Sequence, residues 1–152
     1  MKFLGGADFV YRIRIGDFPP ATLPFPLGGK RGTKVQVAAT GQGTDAIPPL
    51  EVTVPDNPNA AVVPLEVRSP TGGKVEPLTF QLDSTDETIE KEPNDELAAA
   101  TRFAVPQVLN GRFEKPGDVD RFIFTAKKDA RVIFETVSRA LGSPADLFMV
   151  IQ

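Results

Sequence analysis

Apolar and polar residues alternate strictly along residues 9–15, FVYRIRI. Phe9, Tyr11, Ile13 and Ile15 fall on one face, and Arg12 and Arg14 on the other. An extended chain sends successive side chains to opposite faces, so this segment predicts a half-buried strand. The same period recurs along the chain. In TKVQVAAT (33–40), Val35 and Val37 share a face. LEVTV (50–54), AVVPLEV (61–67) and PLTFQL (77–82) follow, the last with Leu78, Phe80 and Leu82 aligned. Between the first two of these alternating segments, GDFPPATLPFPLGGKRG (16–32) is punctuated by proline and glycine and predicts a loop with a short edge strand. Short strands at this spacing, with turn signals between them, predict an all-β sandwich.

The pattern then breaks. Residues 83–96, DSTDETIEKEPNDE, carry seven acids against one base, Lys91. Such a composition shift reads as a linker between two modules. NDELAAATR predicts one short helix over 94–102, capped by Asn94 or Asp95. Strand patterns resume at 108–114, 119–126, 130–137 and 146–151. Segment 130–137 is apolar on both faces (Val132 and Phe134; Ile133 and Val137) and predicts a central strand. The organisation expected is a β module over 1–82, an acidic linker over 83–93 and a second β module over 94–152. Four strands are few for a closed sandwich, and the last runs into the final residue, so further strands are expected beyond Gln152.

Composition narrows the chemistry. The 152 residues include no His, Cys or Trp, against 15 Pro and 13 Gly, and the net charge is −3. Histidine acid–base chemistry, Ser–His and Cys–His triads, disulfides and His/Cys zinc sites are excluded. The proline content disfavours long helices. No basic footprint for nucleic acid is present. No apolar run is long enough to span a membrane, and the N-terminus lacks the pattern of a signal peptide. That leaves a cytoplasmic protein or an internal piece of a longer secreted one.

Candidate sites follow from residue type. Gly28, Gly29 and Gly32 with Lys30, Arg31 and Lys34 do not meet the phosphate-loop spacing, and read as a glycine turn. Ser69, Ser84, Ser138 and Ser143 are the only serines, and none lies in a nucleophile motif. The phenylalanines sit mostly at period-two positions, which is core placement rather than a sugar-stacking platform. Glu90, Glu92, Asn94 and Asp95 form E-x-E-x-N-D. Asp118 and Asp120 flank Val119 and point the same way at a strand entrance. All are hard oxygen donors of the kind calcium takes. They also read simply as a solvated acidic linker with a helix cap and an Asp turn.

EKEPNDELAAA (90–100), NGRF (110–113), KPGDVDRFIFTAKKDARVIFET (115–136) and LGSPADLFMVI (141–151) together resemble the bacterial pre-peptidase C-terminal domain, over about residues 88–152. The resemblance implies a partial jelly-roll-like β-sandwich on secreted proteins, beside a peptidase and itself non-catalytic. The collagen-binding domain of bacterial collagenases belongs to that family and binds calcium through such a segment. The resemblance therefore implies Glu90, Glu92, Asn94, Asp95, Asp118 and Asp120 as calcium ligands. FPLGGKRGTKVQVAATG (25–41) resembles the opening of bacterial immunoglobulin-like domains of the transcription-factor-immunoglobulin type, through Pro26, Gly28, Gly29, Gly32, Thr33, Val35, Val37 and Gly41. The expectation is a non-catalytic extracellular, periplasmic or cell-surface accessory module that spaces, adheres or tethers. Its partners would be the neighbouring domains of its parent protein and an extracellular polymer. The rivals are a polysaccharide- or fibrous-protein-binding module proper and a carboxylate-dependent hydrolase.

Overall fold

The computed structural model describes residues 21–68 and 76–152, together with Ala7, Val10, Ile13 and Ile15. The strand expected over 9–15 lies for the most part outside the described residues. Among the described residues ten short strands form: β1 (Leu23–Phe25), β2 (Gly28–Lys30), β3 (Lys34–Thr40), β4 (Leu50–Thr53), β5 (Val62–Leu65), β6 (Leu78–Asp83), β7 (Glu87–Ile89), β8 (Thr101–Phe103), β9 (Val108–Asn110) and β10 (Phe122–Phe124). The chain is all-β, as its alternation predicts.

The first module is a sandwich of two three-stranded sheets, β1-β3-β4 and β2-β6-β5. The first sheet is antiparallel, with Val35 opposite Val52. In the second, β5 runs antiparallel to β6, with Val63 opposite Phe80 and Leu65 opposite Leu78, while β2 runs parallel to β6. Period-two alternation turns Val37, Val52, Val54, Leu65, Val67, Leu78, Phe80 and Leu82 inward to one cluster with Ile47. Phe80 is 0% exposed at its centre. Each such side chain contributes about 1.5–3 kcal/mol relative to leaving it in water. Gly28 and Gly29 open β2, and Gly32 lies in the turn after it. A Cβ on Gly28 would sit 2.7 Å from the Gln81 carbonyl oxygen, so only glycine lets the two backbones approach.

The second module is built differently. β7 pairs with β9 and β8 with β10, each in parallel. Every buried apolar residue among the described ones, Pro24 included, lies at or before position 82; the buried residues beyond are Asn94, Thr101 and Asn110. Phe103, Phe122, Phe124 and Phe134 form a half-buried aromatic row, with Phe103–Phe124 and Phe124–Phe134 centroids 5.6 and 5.3 Å apart. This module is held by polar contacts and a thin aromatic layer.

Three local expectations are corrected. The helix over 94–102 is a single 3₁₀ turn, Leu97–Ala99, followed directly by β8; Glu96, not Asn94 or Asp95, occupies the cap position and makes no side-chain cap bond. Asn94 and Asp95 spend their side chains on other partners, so the helix loses its start. The acidic segment read as linker contains β7, which β9 recruits as a partner. Segments 130–137 and 146–151 form no strand, and the first is not central: Ile133 is 77% exposed and Phe148 91%. Alternation makes a segment competent to be a strand. A second backbone must still satisfy its N–H and C=O groups, and no described segment pairs with either.

Candidate metal centre

Glu90 lies just past the end of β7, and Glu92 two residues on. Asp120 lies two residues before β10. Thr101, the first residue of β8, brings these two arms together. Its Oγ1 accepts the N–H of Lys91 at 3.1 Å, and its own N–H donates to the Arg121 carbonyl at 2.9 Å. Lys91 sits between the two glutamates and Arg121 follows Asp120, so one buried threonine ties both acidic segments to the same point.

The result is convergence. Carboxylate oxygens of Glu90, Glu92 and Asp120 all lie within 4.8 Å of one another. Asn94 is 0% exposed, and its Nδ2 donates to Glu90 Oε2 at 3.4 Å. Glu92 Oε2 accepts the N–H of Asn94 at 3.0 Å. Glu90 Oε1 accepts the N–H of Arg112. Three oxygens remain buried without a hydrogen-bond partner: Glu92 Oε1, Asn94 Oδ1 and Asp120 Oδ1. Buried acceptors normally have partners, and an orphan costs about 1–3 kcal/mol. Two of these orphans belong to the carboxylate cluster and the third to the asparagine bonded to it; all are oxygens, the donor type that a hard cation takes.

The electrostatics agree. Burial pushes the Glu90 carboxyl up to about 7; the charges of Asp120 and Glu92 add to this, and the Arg112 N–H and Asn94 amide oppose it. Burial likewise pushes Asp120 up to about 6, reinforced by Asp118, Glu92 and Asp95. Among the described residues, none of the three carboxylates forms an ion pair. A cation would relieve both the desolvation and the mutual repulsion.

Asp95 and Asp118 stand apart from this cluster. Lys115 pairs with Asp95 at 2.8 Å and with Asp118 at 3.5 Å. Hydrogen bonding to Lys115 holds the Asp95 carboxyl below its ordinary value. Asp118 Oδ2 also accepts the N–H of Glu114 at 2.6 Å, which closes the turn before Asp120. Of the six candidates, the structure thus brings together Glu90, Glu92, Asn94 and Asp120, and gives Asp95 and Asp118 to Lys115. Sequence reasoning missed Thr101 and Gly111. A lone threonine after an alanine run carries no signal, and Gly111 reads only as part of an N-G turn. Compared with known proteins, the chain matches no family model, no curated sequence and no solved structure. No helix among the described residues is long and apolar enough to cross a membrane.

Proposed function

We propose that this chain is a non-catalytic accessory unit of a larger secreted bacterial protein, a spacer or tether whose second module is clamped by calcium. Glu90, Glu92, Asn94 and Asp120 would hold the ion. The observation that carries this reading is the cluster of the Glu90, Glu92 and Asp120 carboxylates, with buried, unpartnered oxygens on Glu92, Asp120 and the adjoining Asn94. Calcium suits the set because it takes six to eight oxygens in flexible geometry, and water completes such a shell; magnesium demands a near-ideal octahedron and keeps its waters. Extracellular modules hold calcium with dissociation constants of about 10⁻⁴–10⁻³ M, which favours an extracellular setting. Three carboxylates share the cluster, where a glycosidase sets a pair across the scissile bond. That grouping supports one shared ion over a hydrolytic pair.

The test is calorimetric titration with calcium and magnesium, with thermal melting in calcium and in chelator. Calcium at tenfold over its dissociation constant should stabilise by about 1.4 kcal/mol. Combined Glu92→Gln and Asp120→Asn should abolish both heat and shift. A shift that survives this double substitution would put the ion elsewhere, and no shift at several millimolar calcium would end the reading. Pull-down on insoluble polysaccharides and fibrous proteins, without turnover, tests the tethering role.

A further inference from the structure

Three consecutive residues, Asn110, Gly111 and Arg112, touch the carboxylate site, and the two outer ones also touch the first module. The buried Asn110 amide reaches both ways. Its Oδ1 accepts the N–H of Leu27, between β1 and β2, at 3.0 Å, and its Nδ2 donates to Glu87 Oε2 at 2.7 Å. The Asn110 carbonyl accepts the N–H of Glu90 at 2.9 Å. Gly111 lies against the Glu90 carboxylate. Arg112 gives its backbone N–H to Glu90, while its guanidinium carbon sits 5.1 Å from the centre of the Phe25 ring in β1. Among the described residues the other contacts across the junction are slighter, with Gly142 lying near the Leu23 side chain. The exposed Lys30–Asp86 pair crosses the junction, and a cleft of about 230 Å³ opens beside it, lined by Lys30, Lys34, Asp86 and Glu87. Exposed ion pairs contribute little, and relative motion is the default across small polar interfaces between modules.

We infer that Asn110–Gly111–Arg112 couples the cation site to this junction, so that an ion at Glu90, Glu92, Asn94 and Asp120 fixes the second module against the first. The inference rests on the cation reading above. An ion that fixes the Glu90 carboxylate fixes the N–H it accepts from Arg112 and so the backbone of the tripeptide. The outer side chains of that tripeptide dock on Leu27 and Phe25. Without the ion, three carboxylates repel and Glu90 is released. Coupling between two equilibria is reciprocal: whatever loosens the dock must weaken the ion by the same factor.

The experiment uses the full chain. It has no cysteine, so Asn59→Cys and Lys128→Cys, both exposed and one in each module, allow clean nitroxide labelling. Distance distributions are measured by double electron–electron resonance in chelator and in several millimolar calcium. Calcium affinity is measured by calorimetry for the native sequence, Asn110→Ala and Arg112→Gln. Calcium should narrow the distribution. Arg112→Gln keeps the backbone N–H and removes the guanidinium's contact on Phe25, together with its exposed ion pair to Glu114. It should weaken calcium about fivefold, at the low end of common coupling factors, and leave the distribution broad. Loss of a positive charge by itself would tighten a cation, so weakening reports the coupling. If Asn110→Ala does not fold, Arg112→Gln carries the test. Calcium that binds the native and Arg112→Gln proteins equally, or the variant more tightly, with an unchanged distribution, overturns the coupling and leaves the site standing. No calcium binding by the native sequence overturns both.

Discussion

The Glu90 carboxylate lies directly over Gly111: a Cβ at position 111 would sit 2.6 Å from Glu90 Oε2 and 3.1 Å from its carboxyl carbon. The obstacle is the end of a flexible side chain rather than backbone, so it can move aside. Gly111→Ala should therefore leave the fold intact and displace the carboxylate from the cluster. The expected outcome is a melting temperature in chelator within a few degrees of the native protein, with calcium affinity reduced about tenfold. Calcium affinity equal to the native protein would mean that Glu90 is not a ligand.

Thr101→Val keeps the shape of the residue and its backbone N–H but deletes the hydroxyl that accepts from Lys91. A part-buried N–H then loses its partner, at a cost of about 0.5–1.5 kcal/mol. Because Lys91 separates Glu90 from Glu92, the loss should also loosen the site. Thr101→Val should lower the melting temperature in chelator and weaken calcium. Thr101→Ser, which keeps the hydroxyl, should restore most of the calcium affinity measured by titration. If serine and valine behave alike, the hydroxyl does not position the glutamates.

The raised carboxyls set a pH dependence with a definite sign. Glu90 moves from an ordinary 4.5 to about 7 and Asp120 from 3.8 to about 6. Between about pH 4 and 7 the cation-free folded state therefore binds more protons than the unfolded state. Its stability falls as pH rises through that window. Asp83 and Asp95 have lowered values, so their contribution is lost only as pH falls below the ordinary carboxylate range. Melting in chelator should thus show a temperature that declines from pH 5 to pH 8. Calcium competes with those protons, so its stabilising shift should be larger at pH 8 than at pH 5. A calcium shift that shrinks as pH rises would contradict the assignment.

How legible this was in the sequence depends on what stabilises each part. In the first module, alternation alone locates β3, β4, β5 and β6, because a shared apolar core rewards each inward position. In the second, little apolar surface is buried, so alternation loses its hold. Val132, Phe134 and Thr136 share a face in sequence, yet their segment forms no strand, because strand formation needs a partner that hydropathy does not encode. The acidic donors were legible as residue types. Their division was not: Lys115 lies 20 residues from Asp95, and only the fold reveals that it takes Asp95 and Asp118 while leaving Asp120 for the cluster.

That contrast between modules predicts opposite responses to mutation. Phe80 is 0% exposed among Val54, Leu65, Leu78 and the rest of the apolar cluster. Phe80→Ala should cost about 3–5 kcal/mol, because a large cavity adds to the lost transfer energy. Ile133 carries the same kind of side chain in a strand-like pattern, but it is 77% exposed. Ile133→Ser should change stability by no more than about 0.5 kcal/mol, as for a surface position, and should improve solubility by removing apolar surface. Urea unfolding of the two variants measures both. A loss of 2 kcal/mol or more for Ile133→Ser would mean that residues 130–137 are packed in solution, and that the second module has a core of its own.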